Sequence, residues 1–77
     1  MTAQEAVCER IDELCKKQGI SLYTLAKRAA IATSTVDNII NNGVDPSQST
    51  ICKISSGFGL SMRDFYQDEK FAICEEK

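Results

Sequence analysis

The residues of this chain that could do chemistry are few, and their spacing suits recognition better than bond-making. Among 77 residues there are four cysteines and no histidine. Cys8 and Cys15 lie seven positions apart. On a helix that is roughly 10.5 Å of rise, whereas a disulfide needs Cα atoms within about 7 Å, so the two do not pair inside one helix. Neither they nor Cys52 and Cys74 form a CxxC, and without histidine the usual ligand spacing of structural zinc is missing. The thiols therefore read as small hydrophobes. "GFGLSM", beginning at Gly57, has too few glycines for a dinucleotide loop, and there is no P-loop. An enzyme would have to work with an isolated acid or thiol, so the expectation is no catalysis, no cofactor and no metal. What remains is a row of small amides and hydroxyls. Within "AAIATSTVDNIINNG", residues 29 to 43, Ser34, Asp37, Asn38 and Asn41 fall on one side at 100° per residue, while Val36, Ile39 and Ile40 fall on the other. Taken alone, such a face suits exposure to water as well as it suits a partner.

That row needs a helix to hold it, and the pattern supplies five. From Gln4 to Lys17 the apolar residues Val7, Cys8, Ile11, Leu14 and Cys15 recur at steps of three and four, which predicts a helix stopped by Gly19. Ser21 reads as the N-cap of a second helix that buries Leu22, Leu25, Ala26 and Ala29 and leaves Lys27 and Arg28 outside. The third runs over residues 32 to 41 and ends at Asn42 and Gly43. No alternating run flanks that pair, so it reads as a helix end and not as a hairpin. Pro46 restarts the chain, either at the first helical position behind Asp45 or just ahead of Ser47 as cap. Ile51, Ile54 and Phe58 form the inner face of the fourth helix, whose end Gly57 and Gly59 weaken. "SMRD" resembles a capping box with Asp64 in place of the usual glutamate, opening a short fifth helix that buries Met62 and Phe65, with Tyr66 beside them. Connections of a few residues make this a compact all-α bundle, with residues 1–67 as its domain and 68–77 as a tail.

A chain of this length buries only about 60% of the surface it exposes when unfolded, so a partner would add stability. The longest apolar run is far below the ~18 residues of a membrane span, and "MTAQEAVCERIDEL" lacks the basic and apolar regions of a secretory signal, which predicts a cytoplasmic protein. Net charge is −2, but it is unevenly placed. Up to Gln67 the acids Glu5, Glu9, Asp12, Glu13, Asp37, Asp45 and Asp64 balance Arg10, Lys16, Lys17, Lys27, Arg28, Lys53 and Arg63, and the surplus sits in "DEKFAICEEK".

With the helices in place, "LAKRAAIATSTVDNIINNG" followed by "DPSQSTICKISSGFGLSMRDFY" resembles the phage-repressor (Cro-like, XRE-type) helix-turn-helix family over about Val7 to Tyr66. Leu25-Ala26, Ser34-Thr35-Val36, Ile39, Gly43, Pro46-Ser47, Thr50, Lys53-Ile54, Gly59 and Phe65 occur in the family's order. The resemblance implies a lambda-repressor-like, five-helix fold and a sequence-specific DNA-binding transcriptional regulator, a repressor acting on double-stranded DNA. In such a motif the third helix lies in the major groove and the second crosses the phosphate backbone. The base-reading positions map onto Thr33, Ser34, Asp37 and Asn38. Asn38 has the most discriminating chemistry, since its amide can accept from N6 and donate to N7 of adenine. Phosphate partners map onto Lys27, Arg28 and Lys53, and onto the helix starts near Ser21 and Ser47.

The departures from the family pattern are specific. Ala30 stands where the turn usually has glycine, at a cost of about 1 kcal/mol if φ is positive, and points to a slightly reshaped turn. Ala32 replaces the usual Ser or Thr cap, and an extra residue before Gly43 lengthens the third helix. From Ala29 to Ser49 there is no Lys or Arg, so few phosphates are neutralised per subunit and the DNA reading calls for a homodimer. "KFAIC", residues 70 to 74, either packs on its own bundle or joins Phe65 and Tyr66 in pairing with a second subunit. The competing reading is a protein-interaction module on the same fold that does not bind DNA.

Overall fold

The computed structural model describes residues 2–67 and Phe71. Five helices follow one another: α1 (Ala3–Gln18), α2 (Leu22–Ala29), α3 (Thr33–Asn41), α4 (Gln48–Gly57) and α5 (Met62–Phe65). No strand occurs among the described residues, and no helix among them is long and apolar enough to cross a membrane. The all-α, five-helix expectation holds, with boundaries close to those read from the apolar spacing.

Four helices begin alike. Thr2, Ser21, Ser47 and Ser61 stand in extended backbone ahead of α1, α2, α4 and α5, and each side-chain oxygen accepts the N–H three residues on. This satisfies one of the donors that a helix start leaves open. At Thr2 the box is complete, because Glu5 Oε1 accepts from the Thr2 N–H at 2.9 Å. That bond, and the one to the Thr2 side chain, hold the Glu5 carboxyl below its ordinary range, so this contribution is present at neutral pH and lost as pH falls through the lowered value. Pro46 precedes the cap Ser47, settling the two readings of the restart in favour of the second. Helix α3 differs: Ala32 offers no side-chain cap.

Three helices also end alike. After α1, Gly19 N–H donates to Lys16 O and Ile20 N–H to Cys15 O; after α4, Gly59 and Leu60 repeat the pair on Ser56 and Ser55. After α2 the same pair is made by Ala30 and Ile31 on Lys27 and Ala26. This motif requires a left-handed residue, and Ala30 supplies it at φ 58°, the one non-glycine residue with positive φ among those described. The turn between α2 and α3 is therefore not reshaped to suit alanine; alanine takes the strained conformation.

The core draws on every helix: Val7, Ile11, Leu14 and Cys15 from α1, Leu25 from α2, Ile39 from α3, Ile51 and Ile54 from α4 with Phe58 just after it, and Phe65 from α5. Ala6, Ala26, Ala29 and Val36 are buried too. Leu22, Ile40 and Met62, expected inside, are only half-buried at the rim. Helices α2 and α4 approach closely at Gly57, where an added Cβ would lie 3.1 Å from Ala29 N and 3.2 Å from Leu25 Cδ1. Gly57 is thus both the last residue of α4 and a close-approach residue, and Gly59 follows in left-handed backbone. Tyr66, expected beside the buried residues of α5, is 38% exposed at the helix end. Its ring stands edge-on to Phe65 and to Phe71, with centroids 5.4 and 4.9 Å away. Of the tail, Phe71 therefore lies on its own bundle, and the rest of the 68–77 expectation falls outside the described residues.

Helix α1 reaches three other helix ends through polar side chains. Gln4 Nε2 donates to Ile39 O at 2.7 Å and Cys8 Sγ to the same carbonyl at 3.1 Å, near the end of α3. Gln18 Nε2 donates to Phe58 O at 2.9 Å, just past α4. Arg10 donates from Nε to Phe65 O at 2.8 Å and from Nη2 to Asp64 O at 3.0 Å, at the end of α5. Cys8, Cys15 and Cys52 are free thiols, and burial pushes the first two up, so Cys8 stays protonated and able to donate.

Two outcomes test this reading of the scaffold. Ala30→Gly should raise the unfolding free energy by about 1 kcal/mol by relieving the left-handed alanine. Arg10→Ala should lower it by about 2 kcal/mol, whereas Lys16→Ala, which breaks only an exposed pair with Asp12, should change it by less than about 0.5 kcal/mol. Urea unfolding at neutral pH measures all three. An Ala30→Gly midpoint no higher than the parent's, or equal losses for Arg10 and Lys16, would contradict these assignments.

Candidate nucleic-acid interface

Helix α3 presents two unlike sides. Val36 and Ile39 are buried, at 0% and 1% exposure, and fix the rotation of the helix against the core. Thr33, Ser34, Asp37, Asn38 and Asn41 are then exposed along the opposite side, as the 100° spacing requires. The fold brings together the four sequence-predicted reading positions Thr33, Ser34, Asp37 and Asn38 on one outward row, with none turned into the protein's own interior.

What holds that row in place lies behind and beneath it. The three residues Ala30 to Ala32 join α2 to α3, and the left-handed Ala30 sets the angle between them. From the other end, Gln4 and Cys8 of α1 share the Ile39 carbonyl. Helix α3 stops at Asn41, the end read from the sequence; Asn42 is its C-cap, with φ −115° and ψ 7°, and Gly43 follows at φ 66°.

The row is internally hydrogen-bonded. Asn41 Nδ2 donates to Asp37 Oδ1 at 2.6 Å, and Asn42 Nδ2 donates to Asn38 Oδ1 at 2.8 Å. Asp37 and Asn38 thus each have one acceptor oxygen already engaged. Asn42 is a functional candidate that the residue pattern did not single out, and Asn41, read as part of the polar face, was not placed among the reading positions. The available signal was two amides standing four places beyond two reading positions, the spacing at which side chains on a helix meet.

The residues expected at phosphates are placed differently from one another. Lys27, Arg28 and Lys53 are exposed, and among the described residues none of them is paired with a carboxylate. Lys27 Nζ sits 4.9 Å from the centroid of Tyr23, an exposed ring one helical turn earlier, which adds Tyr23 to the surface. The hydroxyls of Ser21 and Ser47 are not free side chains: each accepts a backbone N–H, from Thr24 and Thr50, at 3.1 Å. An anion at those two helix starts would meet the remaining backbone N–H donors, with a serine O–H as a further donor only if it turns from its neighbouring threonine oxygen. Among the described residues no group of His, Cys, Asp or Glu could hold a metal ion.

The electrostatics of this surface are mild. Asp37 and Asp45 are the charged side chains between Ala29 and Ser49, and the cations flank that stretch on α2 and α4. Hydrogen bonding therefore dominates the chemistry α3 offers, with positive charge supplied from the neighbouring helices.

Comparison with known proteins bears on this arrangement. The HTH-type transcriptional regulator DdrOP3 of Deinococcus deserti is 26% identical over 65 residues, covering 84% of this chain and 50% of that protein. The chain spans about half the length of this curated relative. The profile of the helix-turn-helix family matches residues 11–65, a stretch that starts within α1 and ends with α5. With well over half of its residues inside that match, the chain belongs to the helix-turn-helix family.

Proposed function

We propose that this protein is a DNA-binding transcriptional regulator that reads a short, two-fold-related operator as a homodimer, with α3 in the major groove, and represses from it. Family membership and the description of the relative support a DNA-binding regulator. The observation that carries the finer reading is the exposed row Thr33, Ser34, Asp37 and Asn38, held outward by the burial of Val36 and Ile39. These are side chains that pair with base edges: an amide with adenine, hydroxyls with either kind of edge, a carboxylate with cytosine N4.

Affinity is the constraint on this reading. Non-specific binding comes almost entirely from Lys and Arg at phosphates, and here Lys27, Arg28 and Lys53 are the cations nearest the row in sequence. Two or three neutralised phosphates per subunit give weak binding; two subunits double the number and match two half-sites. The absence of cations between residues 29 and 49 is also the observation favouring the second reading, in which the same face meets a protein.

Selection of bound fragments from random double-stranded DNA decides between them, with a repeated half-site expected and no enrichment at any salt concentration favouring the protein partner. Asn38→Ala should cost about 1–3 kcal/mol at one base position, and Lys27→Ala should weaken binding to all sequences alike and lower the salt slope of the dimer by about two, one per subunit. Equal affinity of the Asn38→Ala protein for every variant of the selected site would reject the role given to Asn38.

A further inference from the structure

We propose that Asn42, which lies outside the recognition helix, is a positioning residue that orders the Asn38 amide for its contact with a base. The inference rests on the DNA reading above and adds to it a residue outside the base-reading set.

A primary amide has two faces of opposite hydrogen-bonding sense, an oxygen that accepts and a nitrogen that donates, and on an exposed helix it can rotate to exchange them. An unrestrained Asn38 would thus present either sense to a base edge. Asn42 constrains that rotation: its Nδ2 donates to Asn38 Oδ1 at 2.8 Å. Exchanging the ends of the Asn38 amide alone would set two NH2 groups against each other, so the two amides can turn only together. In the arrangement observed, one lone pair of Oδ1 and the whole NH2 group remain for a base.

The backbone that carries Asn42 is itself held. Its own N–H donates to Asn38 O at 3.1 Å, and the Val44 N–H donates to the same carbonyl at 3.1 Å, so the backbone folds back over Asn38. Behind it, Gln4 Nε2 of α1 reaches Ile39 O at 2.7 Å and Val44 O at 3.5 Å. The support runs from α1 through the end of α3 to Asn42, and from Asn42 to the amide that faces outward. Asn41 and Asp37 form a parallel pair one residue earlier, so both central reading positions are braced from the C-terminal side. The energetic logic is preorganisation, in which the ordering of a side chain is completed before binding.

The test uses the whole protein and its selected DNA site. Asn42→Ala should reduce the base discrimination about fivefold at the one base pair that Asn38→Ala flattens, leave the other positions unchanged, and add nothing in the Asn38→Ala background. Asn42→Asp should change which base is preferred there, because a carboxylate accepts from the Asn38 NH2 and turns the amide round. Asn42 is exposed, so these variants keep the fold, which circular dichroism checks. In the free protein, Asn42→Ala should lower the order parameter of the Asn38 side-chain amide, measured by 15N relaxation. Unchanged discrimination in both Asn42 variants, while Asn38→Ala still flattens its position, overturns the positioning role and leaves the DNA reading standing. An Asn38→Ala protein that loses discrimination nowhere overturns the reading at Asn38 and the proposal with it. An unchanged order parameter overturns the proposal independently of DNA.

Discussion

Short helices leave many carbonyl groups without partners, and the fold depends on satisfying them. Each helix has four such groups at its C-terminal end, and α2 to α5 have 8, 9, 10 and 4 residues, so a large part of each is terminal turn. Left-handed turns at Gly19, Ala30 and Gly59 close some of these ends locally. Others are met by α1, whose Gln4, Cys8, Arg10 and Gln18 donate to carbonyls at the ends of α3, α5 and α4. Burying those carbonyls unpaired would cost about 1–3 kcal/mol each, a large fraction of what a domain this small has to spare. Among the described residues no buried side-chain nitrogen or oxygen lacks a partner. The apolar core gives the helices a reason to collapse, and the side chains of α1 decide which ends meet which.

That division of labour explains why one side of α3 can be so polar. Its buried side, Val36 and Ile39, and its braced end, where α1 meets Ile39, supply the packing, and its outer side is left to hydrogen-bonding groups with no structural duty toward the core. Where polar groups on the surface do have structural duties they are local, as with the hydroxyls of Ser21 and Ser47 at the starts of α2 and α4.

Much of this was legible in the residue pattern, for identifiable reasons. Apolar residues at steps of three and four marked the helices, Ser21, Ser47 and Ser61 marked three starts, and Gly19, Gly43 and Gly59 sit in left-handed backbone where the chain turns. The exposed row on α3 followed from periodicity alone. Long-range pairing was not legible: nothing local in Arg10 says that its partner is Phe65, 55 residues away. Gly57 stands at the end of α4, as the pattern suggested, but its second purpose, admitting Ala29 and Leu25, was not legible because it exists only once α2 and α4 are packed. The strain at Ala30 was anticipated, but its resolution was not, since the backbone keeps the turn and leaves the alanine strained. Asn42 escaped notice because an Asn-Gly pair reads first as a turn signal, and its side chain matters only when the helix before it is built.

The role of α1 also bears on how the chain reaches its structure. Gln4 pairs across 35 residues, Gln18 across 40 and Arg10 across 55, so α1 has its partners in chain made well after it. Pairings of such sequence separation close large loops and raise the contact order of a fold whose helices are otherwise local. During synthesis, α2 to α4 can assemble as each emerges, while Arg10 has no carbonyl to meet until Phe65 has left the ribosome. The contacts that α1 makes with the ends of α4 and α5 therefore cannot form until every helix between them has been made.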